Sequence, residues 1–334
     1  MAGAAPVGIL GAGSWGTALA LQLTRNGHPV RLWSPFAEEL APLARERQNR
    51  RYLPGFAFPE TLQIETDLSV ALAGVHDVLV AVPSGGFRDT VTHLAVYSRQ
   101  GLRLAWATKG FEPGSAQLLH QVAARVLGAE VPLAVVSGPS FAREVAAGLP
   151  TAVTLASEDA HFSKDFAARL HGPSFRVYSS EDVIGVEVGG AVKNVIAIAC
   201  GLSDGLKFGA NARAALITRG LAEISRLGVR LGAQAQTFQG LSGVGDLVLT
   251  CTDDQSRNRR LGLALGAGRT LAPAQAAIGQ VVEGVMAAAA ARQLAQNLGV
   301  DMPITEQVYR ILHEQLLPRA AVEALMARES TAET

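Results

Sequence analysis

Short apolar runs alternate with stretches of helical period through the first half of the chain. The runs at Val7–Leu10, Val30–Trp33, Val78–Val82, Leu104–Thr108 and Leu133–Ser137 read as strands buried on both faces. Between them, Gly16–Arg25, Phe36–Gln48 and Ser115–Leu127 carry apolar residues at helical spacing. This alternation predicts right-handed crossovers and a mostly parallel sheet covered by helices on both faces, with Val153–Leu155 and Phe175–Tyr178 finishing it. From about Glu181 the strand signal stops. Ala- and Leu-rich segments follow at Asp182–Ser203, Ala210–Leu227, Leu261–Leu265, Ala274–Ala277, Val282–Leu298 and Ile304–Glu314. The expectation is an α/β chain: a doubly wound, mostly parallel sheet domain over residues 1–180, then an all-helical domain over 181–334 with a frayed tail at Arg328–Thr334.

A length of 334 residues supports two domains, since single cores stop growing at roughly 250–300 residues. The hydrophobic fraction of 49% excludes general disorder. Basic and acidic residues balance at 29 each, which argues against a broad nucleic-acid-binding surface but leaves room for a local anion site. No run of 18 apolar residues free of charge and glycine is found, so no membrane-spanning helix is expected. The apolar N-terminus carries no Lys or Arg before Arg25 and is interrupted by glycines, so it does not read as a signal peptide. Cys200 and Cys251 read as ordinary reduced interior residues, which points to the cytoplasm.

Candidate chemistry begins at the first strand. Gly11-Ala-Gly13-Ser14-Trp15-Gly16 matches G-x-G-x-x-G between a strand and a helix. Gly11 makes the turn, Gly13 admits a pyrophosphate against bare backbone, and Gly16 lets the helix pack on the sheet with its N–H groups aimed at phosphate. In such Rossmann-like units an acid about twenty residues on holds the ribose 2′-hydroxyl. Here the second strand runs into Ser34-Pro35-Phe36, with Glu38 and Glu39 the nearest carboxylates and Arg31 inside the strand. The choice between NAD(H) and NADP(H) therefore stays open. Lys109-Gly110 and Gly138-Pro139-Ser140 follow later strands and converge on the carboxyl edge of the sheet. Ser140 reads equally well as the N-cap of a helix over Phe141–Ala147.

The helical half carries its own signals. Gly189 and Gly190 weaken a helix, by about 1 kcal/mol each relative to Ala, a cost that makes sense where something approaches the backbone closely. Lys193 and Asn194 follow them in an otherwise apolar helix; the ammonium reads either as a group that snorkels to solvent or, as the apolar residues on all helix faces favour, as a sequestered one with a purpose. Asp246 stands in a glycine-rich turn, as an N-cap or as a partner for a cation. Ser256-Arg257-Asn258-Arg259-Arg260 reads either as a solvated helix face or as an anion grip centred on the Arg257 guanidinium. Val281 and Glu283 open an Ala-rich helix, Glu283 being either a first-turn acid or a ribose contact. The seven histidines are scattered and no cysteine cluster exists, so no metal is expected. Without G-x-S-x-G, serine hydrolysis is not the expected chemistry.

The stretches GAGSWGTALA, ATKG, SGPSFAREV, VKNVIAIACGLSDGL, LSGVGDLVLTC, SRNRRLG and VVEG together resemble the bacterial-type NAD(P)-dependent glycerol-3-phosphate dehydrogenase family. The resemblance implies reduction of dihydroxyacetone phosphate to glycerol 3-phosphate for phospholipid synthesis. It implies that Lys193 is the catalytic proton donor or acceptor, supported by Asp246 and Lys109. Substrate contacts would come from Lys109, Gly138, Ser140, Lys193, Asn194, Asp246, Ser256, Arg257 and Asn258. Cofactor contacts would come from Gly11, Gly13, Ser14, Trp15, Gly16, Lys109, Ala142, Arg257, Val281 and Glu283. Ser34-Pro35 stands where the family often carries a basic residue or histidine. A homodimer is expected from the sparsely charged helical half. The competing readings are a dehydrogenase of carboxylate-bearing hydroxy acids and a non-catalytic dinucleotide sensor.

Overall fold

A computed structural model describes residues 5–97 and 100–328. The tail expected at 328–334 lies outside the described residues beyond Arg328. Two compact units result, one of Met1–Glu112 with Gln117–Glu187, the other of Pro113–Ala116 with Val188–Thr334.

In the first unit, β1 (Val7–Leu10) leads through α1 (Ser14–Arg25), β2 (Val30–Trp33) and α2 (Ala37–Glu46) to a small hairpin, β3 (Gln48–Asn49) and β4 (Leu53–Ala57). Then come β5 (Leu62–Glu65), α3 (Leu68–Ala71), β6 (Asp77–Val80), α4 (Phe87–Val96), β7 (Arg103–Trp106), α5 (Leu119–Leu127) and β8 (Leu133–Ser137). The unit closes with α6 (Ala142–Ala147), β9 (Thr151–Ala156), α7 (Ala160–Leu170) and β10 (Phe175–Ser180). Eight strands form one sheet in the order β10-β9-β8-β7-β6-β1-β2-β5, parallel at every pairing except β8 with β9. Every residue of β1 and β6 is buried, so both faces of the sheet are covered, as the unbroken apolar runs require. Strand order reverses between β1 and β6, which makes their carboxyl ends the switch point where open sheets bind ligands.

Several elements differ from the sequence reading. The expected helix over Ser115–Leu127 begins only at Leu119, because Ala116 takes a left-handed conformation with φ of 55°. The hairpin β3–β4, the strand β5 and the four-residue helix α3 are too short to carry a periodic signal, whereas α4, with Phe87, Val91 and Leu94 buried at helical spacing, is an element the sequence reading leaves out. Ser140 caps nothing, since Phe141 occupies the N-cap position of α6.

The long helix α8 (Val183–Gly205) carries the chain into the second unit, followed by α9 (Gly209–Arg230), α10 (Asp246–Thr252) and α11 (Arg257–Gly266). Helices α12 (Leu271–Ile278), α13 (Glu283–Leu298), α14 (Pro303–His313) and α15 (Pro318–Met326) complete it, with no strand among the described residues from Val188 onward. By length and composition α8 is apolar enough to cross a membrane, with a mean hydropathy of 1.7, contrary to the expectation from uninterrupted apolar runs. That expectation counted glycines as breaks. In this fold 94% of the apolar stretch is buried inside the protein.

Glycines set how closely α8 and α11 pack. A Cβ on Gly201 would stand 2.2 Å from the Arg259 carbonyl oxygen, and one on Gly262 would stand 2.1 Å from that of Ile198. Backbone therefore meets backbone along this seam. The start of α14 is held by Glu223 of α9, whose carboxylate accepts hydrogen bonds from the N–H groups of Ile304 (2.6 Å) and Thr305 (3.0 Å) and from the Thr305 hydroxyl (2.8 Å). Burial dominates these favourable bonds and raises the Glu223 pKa from an ordinary 4.5 to about 7. A folded-state pKa above the unfolded value means the native protein holds this proton more tightly than the unfolded chain. Its contribution to stability thus falls as pH rises from 4.5 to 7, by at most about 3 kcal/mol. Thermal denaturation at pH 5 and pH 8 should show Glu223→Gln losing less stability over that interval than the wild type.

Candidate active site

The first unit places the glycine loop at the switch point. Gly11 has φ of 124°, and a Cβ there would lie 2.6 Å from the Ala81 carbonyl oxygen. A Cβ on Gly16 would lie 1.9 Å from the Gly11 oxygen. Both positions therefore admit only glycine. Gly13 differs: a Cβ there meets nothing within 4 Å, so the bare backbone faces open space, as a pyrophosphate requires. The N–H groups that open α1 lie immediately after it. Ser14 is anchored by donating its hydroxyl to the Tyr52 carbonyl at 2.7 Å. The buried Trp15 Nε1 finds no partner within the protein. An open glycine, a free helix start and an orphaned donor fit a dinucleotide phosphate.

Along the same edge, the Lys109 ammonium and the Ser140 hydroxyl both donate to the Gly138 carbonyl at 2.9 Å. Gly138 has φ of 144°, and its missing Cβ would stand 2.9 Å from Val153 Cα. Thr108 donates to the Val82 carbonyl at 2.7 Å, tying the ends of β6 and β7 together. Ala142 is the first residue of α6, half-buried against the core. These residues come together because consecutive parallel strands end at the same edge.

The second unit gathers the rest. Lys193 is 7% exposed and its ammonium lies 2.5 Å from Asp246 Oδ1, with Asp246 at 1%. Asp246 opens α10 directly after a wide turn at Leu241–Gly245. A Cβ on Gly189 would fall 2.3 Å from the Ser242 carbonyl oxygen, so the glycine before Lys193 lets this turn rest on α8. The sequence expectation of a close approach to this helix is met by the chain itself.

Asn258 binds three helices together: it donates to Asn194 Oδ1 of α8 at 2.9 Å and accepts from the Gly284 N–H of α13 at 2.9 Å. Ser256 caps α11, accepting from the Arg259 N–H at 3.3 Å and sharing a 2.7 Å bond with Thr250. Arg257 donates to the neutral Gln280 at 3.2 Å, and burial lowers its pKa, partly offset by Glu283. Arg259 does not belong to an anion grip. Its guanidinium is buried between Asp204 and Asp254, and Asp204 also pairs with Arg213 at 2.7 Å. Burial opposes its charge, yet those carboxylates raise its pKa. Arg260 is exposed. Of the three, Arg259 is thus the one claimed by carboxylates of the protein. Val281 is 43% exposed and Glu283 half-buried.

Sequence reasoning missed the hairpin residues. Asn49 is fully buried, donating at 2.9 Å to both the Ala12 carbonyl and the Thr17 hydroxyl, so it pins the glycine loop. Nothing short of the fold pairs residues 37 apart in the chain. Cys200 and Cys251 are free and buried, and burial pushes the Cys251 thiol up. Among the described residues no group of three or more metal-ligating side chains assembles.

A dinucleotide cradle in a doubly wound sheet, with a buried lysine–carboxylate pair in a helical unit, defines a nucleotide-dependent dehydrogenase class. Comparison with known proteins is specific. The family described as NAD-dependent glycerol-3-phosphate dehydrogenase matches by its N-terminal part at residues 6–163 and by its C-terminal part at 182–323. The chain belongs to this family. It is 55% identical over 328 residues to a glycerol-3-phosphate dehydrogenase [NAD(P)+] of Pseudoalteromonas translucida, covering 98% of each chain. A Serratia proteamaculans protein of the same description is 56% identical over 321 residues, covering 96% of this chain and 95% of its own. The crystal structure of glycerol-3-phosphate dehydrogenase from Coxiella burnetii superposes with a TM-score of 0.94 at 55% identity, covering 97% of this chain and 99% of that one. D-mandelate dehydrogenase, at 14% identity and a TM-score of 0.64, shares the fold alone.

Gly189→Ala should drive the Leu241–Gly245 turn off α8 and separate Asp246 from Lys193. Turnover is expected to fall at least tenfold, an effect of about 1.4 kcal/mol, while dinucleotide binding measured by fluorescence titration holds.

Proposed function

We propose that this chain catalyses NAD(P)H-dependent, reversible reduction of dihydroxyacetone phosphate to sn-glycerol 3-phosphate, supplying glycerophospholipid synthesis. The observation that carries the reading is the ammonium of Lys193 held 2.5 Å from Asp246 within the buried, largely apolar middle of α8. A bound reduced nicotinamide supplies the hydride that adds to the carbonyl carbon. The developing alkoxide needs a proton, and Lys193 donates it; in the reverse direction the neutral amine takes that proton back from the alcohol. Asp246 orients the ammonium and balances its charge, so a desolvated cation is tolerated. Lys109 is the second cation of the catalytic set, contacting substrate and cofactor together.

Arg257 takes the substrate phosphate through its planar fork, with Ser256 and Asn258 beside it. Asn258 and Asn194 spend their side chains on each other and on Gly284, so they position the phosphate site as well as line it. Binding energy at the phosphate places the carbonyl by remote contact. Gly138 and Ser140 contact substrate. Gly11, Gly13, Ser14, Trp15, Gly16, Lys109, Ala142, Arg257, Val281 and Glu283 hold the cofactor. No metal, nucleic acid or membrane insertion enters the reading. A homodimer suits the sparsely charged helical half, and the buried free thiols suit the cytoplasm.

Lys193→Ala should depress kcat far more than Arg257→Ala does, while Arg257→Ala mainly raises KM for dihydroxyacetone phosphate. Steady-state kinetics of both variants check this, and equal small losses would overturn the roles. NADH and NADPH oxidation, assayed separately with dihydroxyacetone phosphate, test the activity itself. No turnover with either would defeat it.

A further inference from the structure

Ser34-Pro35-Phe36 stands directly after β2, with no charged residue before Glu38, so a cation for a 2′-phosphate has to come from another segment. A cavity of about 340 Å³ opens beside the glycine loop, walled by Ala12, Glu38, Glu39, Arg50, Arg51 and Tyr52 among others. Its far wall is the turn between β3 and β4. That turn is fastened to the loop at both ends, by Asn49 donating to the Ala12 carbonyl and by Ser14 donating to the Tyr52 carbonyl. The residues of the turn therefore keep a fixed place relative to the phosphate-binding backbone, although they lie far from it in sequence.

Arg51 stands out within this wall. One N–H of its guanidinium reaches Glu39 at 2.6 Å, and its side chain is otherwise 65% exposed. Glu39 is itself held by the Tyr52 hydroxyl at 3.1 Å, and Arg50 is matched by Glu46 at 2.9 Å. Two of the cavity's carboxylates are thus neutralised in place, and the remaining donors of Arg51 stay available in a planar fork suited to phosphate. The geometry points to Arg51 as the residue that binds the 2′-phosphate of NADPH, with Glu39 as the carboxylate that holds it ready. This rests on the dinucleotide reading above and deepens it. The cation that β2 does not supply arrives from the hairpin, and the chain uses NADPH in preference to NADH.

The test measures binding to the full chain by calorimetry, with 2′,5′-ADP and 5′-AMP as probes that differ only in the 2′-phosphate. The wild type should bind 2′,5′-ADP more tightly. Arg51→Ala should weaken 2′,5′-ADP about tenfold, the loss expected of one charge-assisted bond, and 5′-AMP by less than about twofold. Arg51→Lys should recover part of the loss. Equal weakening of both probes by Arg51→Ala, no weakening of either, or a wild type indifferent to the 2′-phosphate would each overturn the assignment. Parallel turnover of dihydroxyacetone phosphate separates the two readings. Wild type that turns over the substrate but shows no 2′-phosphate preference leaves the proposed function standing and removes only the role of Arg51.

Discussion

The helical unit is organised around one constraint: an ammonium buried in an apolar helix needs a counter-charge in contact. Lys193 obtains it from Asp246, 53 residues later in the chain. To deliver that carboxylate, the turn at Leu241–Gly245 must lie directly on α8, and this in turn demands glycine at position 189. Breaking such a pair by removing one partner costs several kcal/mol, about 3–5 in typical cases, because the other charge is left uncompensated. The local geometry of α8, the turn and α10 thus follows from a single electrostatic requirement.

A second layer of polar bonds surrounds that pair. Asn258 joins α8 to α13, while Arg259 draws Asp204 and Asp254 together at the start of α11. These buried bonds satisfy groups that would otherwise be orphaned, and they orient the segment that presents Arg257. The proposed roles divide accordingly. One residue moves a proton, one grips an anion, and their neighbours hold both still.

What the sequence made legible follows from how locally each constraint acts. The glycine loop was readable because Gly11 and Gly16 answer to backbone atoms within the same strand–turn–helix unit or its neighbouring strand. Lys193 was readable because charge is rare in such an apolar segment. The Arg257–Arg260 run was only half readable. Neighbouring side chains point to different sides of a helix, and of the two carboxylates that claim Arg259 only Asp254 is near in sequence, while Asp204 lies 55 residues away. The β3–β4 hairpin was illegible, since a strand of two residues has no period and its anchor to the loop is a tertiary contact. Ser140 resembled a helix cap in sequence, yet its hydroxyl turns back to Gly138.

The seam between α8 and α11 has a consequence for substrate size. Where Gly201 and Gly262 let two backbones touch, no side chain remains to compress or rotate between them. The helix bearing Lys193 and the helix bearing Arg257 are therefore locked in register, like the two jaws of a fixed-gap caliper. The span from the proposed proton donor to the proposed phosphate grip is dictated by main chain rather than by adjustable packing. A change in the length of molecule this family member accepts must then come from the side chains at the two ends of that gap, because the gap itself has no means of opening by degrees.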